Sequence, residues 1–203
     1  EGDRGRYCWL RDRLVFPIFD HRGRAIGFGG RLLENDGKEP ALSPSKGKYP
    51  KYINSPEGPL YSKGEHLYGL NLAKEAIRRE GAALVVEGYF DLIVLVHSGI
   101  ENAVASLGTA VTPGHLQLLR RWATQVTLVF DGDAAGMAAV ERIAVPFLEC
   151  GVRARVLGLP AGDDPDSLVR REGKEAFLVR LEKAVPYLEH LINSALSRRD
   201  CTR

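Results

Sequence analysis

Leu14-Val-Phe-Pro-Ile-Phe19 and Ala25-Ile-Gly-Phe-Gly-Gly-Arg-Leu-Leu33 are apolar, β-prone runs on either side of the turn-forming Asp20-His-Arg-Gly-Arg24. Together they predict a β-hairpin. Pro17 cannot donate to a ladder, which assigns the first run to a sheet edge. Residues 34–50 are rich in Gly, Pro, Ser and Lys without periodicity and predict a long loop. From residue 67 the period changes. Leu67, Leu70, Ala73, Ala76 and Ile77 share one helical face, with Gly81 as a C-terminal cap. Short apolar strands then alternate with helices: Ala83–Glu87, a helix over about 89–97, Ala103–Ala105, a helix opened by Thr112-Pro113, Val126–Phe130, a helix over about 135–149, and Arg153–Leu157. All-apolar strands separated by helices predict an α/β fold with a parallel sheet covered on both faces. Residues 167–197 read as helical, opened by Asp163-Asp-Pro-Asp166 with Pro165 near the first helical position.

Composition narrows the class. Hydrophobic residues at 44% and charged residues at 27% suit a chain that buries a core. No run approaches the roughly 18 apolar residues of a membrane span, and residues 1–13 are too charged for a secretory leader. Cys8, Cys150 and Cys201 are odd in number and far apart, so neither a disulfide scaffold nor a zinc site is encoded; a reduced, cytoplasmic setting is the default. The opening residue, Glu1 rather than Met, suggests a fragment. His21, His66, His97, His115 and His190 show no metal spacing and read as surface or capping residues; Trp9 and Trp122 read as packing residues. The net charge of +2 hides an asymmetry. Residues 1–80 hold 15 basic and 11 acidic side chains, and the remainder holds 13 and 15.

The acids of the second half fall at predicted strand ends, where open α/β sheets form their sites. Glu87 closes one strand, Asp131 and Asp133 follow another in Asp131-Gly-Asp-Ala-Ala-Gly136, and Asp164 and Asp166 follow the last. Singly, each has an ordinary reading: a strand-end charge, an Asx turn, or a helix cap. Clustered, they repel one another unless a cation sits among them. Hard oxygen ligands select Mg²⁺ or Mn²⁺ and point to metal-assisted phosphoryl or nucleotidyl transfer.

Glu87-Gly-Tyr-Phe-Asp91, Asp131-Gly-Asp133 and Asp164-Pro-Asp166 resemble the Toprim module of primases and topoisomerases. Ala103-Val-Ala-Ser-Leu-Gly-Thr109 fits the same module's second strand and loop. Phe16-Pro-Ile-Phe-Asp20, Gly27-Phe-Gly-Gly-Arg31, Pro50-Lys-Tyr-Ile-Asn-Ser-Pro-Glu57 and Lys63-Gly-Glu-His-Leu-Tyr-Gly-Leu70 resemble, in order, the basic lobe of the bacterial DnaG-type primase core. The resemblance runs from about residue 10 to 192. It implies a partial, basic α+β lobe over 1–80, a Toprim domain with parallel sheet and flanking helices over 81–163, and over 164–203 a helical segment beginning a C-terminal subdomain.

The activity so implied is template-directed synthesis of RNA primers from ribonucleoside triphosphates on single-stranded DNA, in the bacterial replisome. Glu87, Asp131, Asp133, Asp164 and Asp166 would hold two or more Mg²⁺ or Mn²⁺ ions, Glu87 serving as ligand or as base. Asp91 would orient the cluster. Arg31, Lys51, Asn54 and Lys63 would contact triphosphate or template, and the glycines before Arg31 would let a ligand approach the backbone. Tyr52 and Tyr61 are candidates to stack on bases, whereas Tyr68 reads as core. The resemblance also implies a zinc-bearing N-terminal domain and a helicase-binding C-terminal domain, both missing here, with single-stranded DNA-binding protein as a further partner and no membrane. Three other readings compete. A topoisomerase gives residues 16–70 no place, a dehalogenase-type phosphatase gives Glu87 no role, and an inert Toprim binding module has no need of five acids.

Overall fold

The computed structural model describes residues 8–33, 50–131, 143, 147 and 150–198. Strands β1 (Arg13–Phe19), β2 (Ala25–Leu32) and β3 (Tyr52–Asn54) form an antiparallel sheet in that order. β1 lies at its edge, as Pro17 requires. The predicted loop of residues 34–50 lies outside the described residues except for Pro50. At the hairpin tip the Asp20 carboxylate accepts from the Arg22 and Arg24 amides (both 2.9 Å) and from Arg24 Nε (2.7 Å). Burial works against ionising that carboxyl, but these donors outweigh it and hold Asp20 at about 2.

Helix α1 (Leu70–Glu80) buries Leu70, Ala73, Ala76 and Ile77, the face expected, and Gly81 caps it. β4 (Ala82–Val86), α2 (Tyr89–His97), β5 (Ala103–Ala105), α3 (Pro113–Leu119), β6 (Gln125–Phe130) and β7 (Arg153–Gly158) follow. The second sheet has the order β5-β4-β6-β7-β8, parallel except for its last strand. Its central strands β4, β5 and β6 are buried on both faces. Along β4, Ala83 and Val85 pack with α1 and α3, while Leu84 and Val86 pack with α2 and with Phe16 and Ile18 of β1. The expected helix over 135–149 lies outside the described residues, apart from Ile143 and Phe147, which are buried in the first of these clusters.

The C-terminal region departs from one continuous helix. α4 (Pro165–Glu182) contains Gly173 at φ 84°, outside the helical region. The chain then adds β8 (Val185–Pro186), antiparallel to β7, before α5 (Tyr187–Arg198) begins. Arg155 causes the interruption to hold. Its Nε and Nη2 donate to the Ala184 carbonyl (3.1 and 2.5 Å), and Nη2 reaches the Glu182 carbonyl (2.9 Å). These are C-terminal carbonyls that a continuous helix would use internally. A helical period cannot reveal a two-residue strand inside it. Among the described residues no helix is long and apolar enough to cross a membrane.

The two sheets meet along a seam. Tyr68 and Ala105 exchange backbone hydrogen bonds of 2.9 and 3.0 Å. Thr112, the N-cap of α3, donates through Oγ1 to the Gly64 carbonyl at 2.5 Å. His115 caps α3 as expected, but it is fully buried rather than superficial. Its Nδ1 accepts from the Thr112 amide (3.3 Å) and its Nε2 faces the Lys63 carbonyl (2.6 Å). Those partners select the neutral ring with the proton on Nε2, and burial lowers its pKa. Trp122 packs beside the core, whereas Trp9 is 44% exposed and not a packing residue.

Candidate active site

β4 ends at Val86 and α2 starts at Tyr89, so Glu87 and Gly88 form the turn between strand and helix. Asp131 stands directly after β6. The N-terminus of α4, which packs on α2, brings Asp164 and Asp166 to the same edge.

Each position from Glu87 to Asp91 has its own task. The Glu87 carbonyl accepts from the Leu107 and Gly108 amides (3.0 and 3.4 Å) and fixes the loop after β5. Leu107 adopts a left-handed conformation (φ 60°), which a branched side chain disfavours. Gly88 leaves room for a carboxylate: a Cβ there would stand 2.8 Å from Asp91 Oδ2, which instead accepts the Gly88 amide at 3.0 Å. The Tyr89 ring is stacked on Phe16 (4.5 Å) and meets the edge of Tyr68 (4.6 Å). Its hydroxyl donates to Asn54 Oδ1 at 2.8 Å. Phe90 lies under the Arg31 guanidinium, 4.3 Å from its carbon.

Asp91 shows how the acids act on one another. Burial, first, and then the charges of Asp131 and Asp164 raise it to about 6, against the pull of the Gly88 and Asp166 amides. A carboxyl raised in this way favours the folded state fully below about pH 4. That contribution is lost as pH climbs through about 6. Asp91→Asn, permanently neutral and still able to accept the Gly88 amide, should therefore match the wild type near pH 4. Above pH 6 it should melt higher in chelator, by about 3 kcal/mol at most. Thermal melts across that range check this, and equal midpoints at pH 7 would refute it.

The other expected residues fall as follows. Asp164 is the N-cap of α4: its Oδ1 accepts from the Ser167 amide at 2.6 Å, the ordinary capping role. Asp166 pairs with Arg170, and Asp163 with Arg171 at 2.6 Å. Asp133 lies outside the described residues. Among the described residues, no three His, Cys, Asp or Glu side chains are grouped closely enough to hold an ion. The donor chemistry nonetheless fits a hard divalent cation, since Asp91 registers both Asp131 and Asp164 as neighbouring negative charges. Of the expected ligands, Glu87, Asp131, Asp164 and Asp166 are among the described residues.

Across the seam, Arg31 Nη1 donates to the Tyr52 hydroxyl at 3.2 Å. Tyr52 in turn feels the charges of Asp91 and Asp166, which raise its pKa on top of burial. Arg31 is thus brought beside the acids. Asn54 is held at both ends, by Tyr89 and by its own Nδ2 donating to the Leu107 carbonyl at 3.3 Å. Lys51 is exposed, and its carbonyl accepts from the Leu32 amide at 2.9 Å. Lys63 is anchored by its backbone, to His115 and to Glu57 Oε1 (3.0 Å). Tyr61 is only 3% exposed and is not a stacking platform, whereas Tyr52 is 37% exposed. The glycines before Arg31 serve protein rather than ligand. A Cβ on Gly29 would lie 1.9 Å from the Tyr89 hydroxyl, and one on Gly30 would lie 2.7 Å from Leu10 Cδ2.

Residues 1–74 match the DNA primase catalytic core, N-terminal domain, and residues 81–158 match the Toprim domain. The chain is 46% identical over 202 residues to the DNA primase of Escherichia coli K12, covering 98% of itself and 33% of that protein. The chain belongs to the DnaG-type DNA primases. It spans about a third of the length of that curated primase relative. A DnaG primase catalytic domain solved bound to single-stranded DNA superposes with a TM-score of 0.84 at 45% identity, over 100% of this chain and 63% of that one. A DNA primase domain from Pseudomonas aeruginosa gives 0.83 at 42%, over 100% and 61%. The two regions matched by the primase family meet at the seam, Lys63 and Gly64 in the first against Thr112 and His115 in the second.

Sequence reasoning missed Tyr89, Phe90 and Leu107, which position Asn54 and Arg31. The available signal was the aromatic pair directly after Glu87-Gly88, since a helix start facing another sheet is where aromatic anchors are useful.

Proposed function

We propose that this chain carries the nucleotidyl-transfer site of a primase, joining ribonucleotides into RNA on a single-stranded DNA template. The supporting observation is the Arg31–Tyr52 hydrogen bond, which holds a cation where the charges of Asp91 and Asp166 bear on the same tyrosine. Such a cleft suits a triphosphate whose negative charge must be neutralised while a hydroxyl attacks it. Arg31, Lys51 and Lys63 neutralise phosphate or template backbone. Asn54 Nδ2 carries a second proton that can donate to a phosphate oxygen. Glu87, Asp131, Asp133, Asp164 and Asp166 hold Mg²⁺ or Mn²⁺, and Asp91 orients Gly88 and the start of α4. The bound ions supply charge stabilisation for attack of a 3′-hydroxyl on the α-phosphate with departure of pyrophosphate.

In this reading the basic lobe spans 1–80, the Toprim unit 81–163, and the helical segment begins at 164. The setting is the bacterial cytoplasm, with replicative helicase and single-stranded DNA-binding protein as further partners. Labelled ribonucleotides should enter RNA only when single-stranded DNA and Mg²⁺ or Mn²⁺ are both present. Incorporation without template, or none with either ion, would overturn the reading.

A further inference from the structure

The β1–β2 hairpin has two charged ends. At one, Arg31 pairs across from Leu14 and reaches the carboxylate edge. At the other, the tip Asp20–Arg24 projects toward α1 and the end of α3. There the Lys74 ammonium donates to the His21 carbonyl at 3.2 Å, and the His21 ring lies 5.9 Å from that of Trp122. Arg121, Arg22 and Lys74 all bear electrostatically on His21. Next to them Gln117, Arg120 and Arg121 line a concavity of about 400 Å³. Asp20 is the acid that acts on His21, and its carboxylate is occupied by Arg24. Arg22, Lys74 and Arg121 therefore surround His21, and Arg120 and Arg121 line the hollow beside it, with an aromatic pair at its side.

This group is far from the acids. Arg120 to Trp122 come just before β6 enters the sheet, whereas Asp131 follows its far end. Six strand residues separate the two edges by roughly 20 Å. The hairpin reports the same separation, with its tip and Arg31 at opposite ends of β2.

We propose that Arg22, Lys74, Arg120 and Arg121 form a second phosphate-binding surface, occupied by the backbone of single-stranded DNA that extends past the carboxylate edge along the hairpin. Cations around an open hollow suit a string of phosphates, and the His21–Trp122 pair offers a ring face to a base. An acidic protein segment would be expected to want an apolar pocket beside the cations, and the hollow is lined by Gln117 and two arginines. The proposal rests on the reading of a DNA template.

Arg22 and Arg121 are exposed, so Arg22→Ala with Arg121→Ala removes charge without touching the core. The paired control is Arg78→Ala with Arg79→Ala, which removes equal charge from the C-terminal end of α1. Binding of a fluorescent thymidine oligonucleotide of roughly 20 residues to the intact chain is followed across a salt series. The hairpin-tip variant should bind about tenfold more weakly at low salt, with the slope of log affinity against log salt reduced by about 1.4. The control should stay within twofold. If the tip variant also stays within twofold, or if both variants lose affinity equally, this surface is overturned while the template reading stands. If the unmodified chain does not bind DNA, both fall. If the tip variant loses affinity for a polyglutamate peptide but not for DNA, the surface belongs to an acidic protein segment and the proposal is wrong.

Discussion

Glu87→Ala and Asp131→Ala are each expected to reduce primer synthesis by at least about a hundredfold, the scale on which a single group aimed at developing charge contributes. The fold should survive both. Glu87 secures the loop at Leu107 and Gly108 through its backbone carbonyl, which alanine retains. Asp131 follows a strand whose register with β4 and β7 is set by backbone bonds and buried apolar side chains. Loss of activity with an unchanged melting curve is the expected pair of results. Wild-type extension rates from either pure, folded variant would remove that residue from the site. The two acids also differ from Asp91, whose side chain itself holds Gly88; there a defect in activity would accompany a change in stability.

The second large effect is structural. Gly29→Ala places a methyl group 1.9 Å from the Tyr89 hydroxyl and 2.9 Å from Asn54 Oδ1. Tyr89 cannot swing aside, since Phe16 covers its face and Tyr68 its edge, and the side chain is 2% exposed. Overpacking costs about 1–3 kcal/mol, and separating the buried hydroxyl from Asn54 adds about 1–3 kcal/mol. Denaturant titration should show a loss of about 3 kcal/mol or more, with no matching loss from Gly58→Ala, where a Cβ meets nothing within 4 Å. Tyr89→Phe removes the obstructing oxygen, so Gly29→Ala should cost less in that background than in the wild type. Full additivity of the two substitutions would show that Gly29 is required for another reason.

Most of the layered architecture was legible because strands buried on both faces cannot hide their composition. Ala83 to Val86 and Ala103 to Ala105 are apolar without a break, and Thr112-Pro113 and Gly81 mark helix ends by chemistry that acts locally. What stayed hidden depends on contacts distant in sequence. β3 is three residues long and exists because Gly29 to Arg31 offer it a ladder. β8 exists because Arg155, about thirty positions earlier, takes up the carbonyls that would have continued a helix. At the candidate site, the acids could be named from their position after strands. Their division of labour could not. The helix start at Asp164 was legible locally, but Gly29 as space for an aromatic ring follows from neighbours distant in sequence.

The seam has a consequence for how the cleft is tuned. Lys63 is gripped through its main chain, by His115 at its carbonyl and Glu57 at its amide, so the joint itself is made by backbone atoms. Anchorage and charge are thereby uncoupled at one position. The ammonium can be lengthened, shortened or neutralised while the distance between the two sheets stays put. The neutral His115 ring and Thr112 join the two regions through hydrogen bonds to main-chain carbonyls.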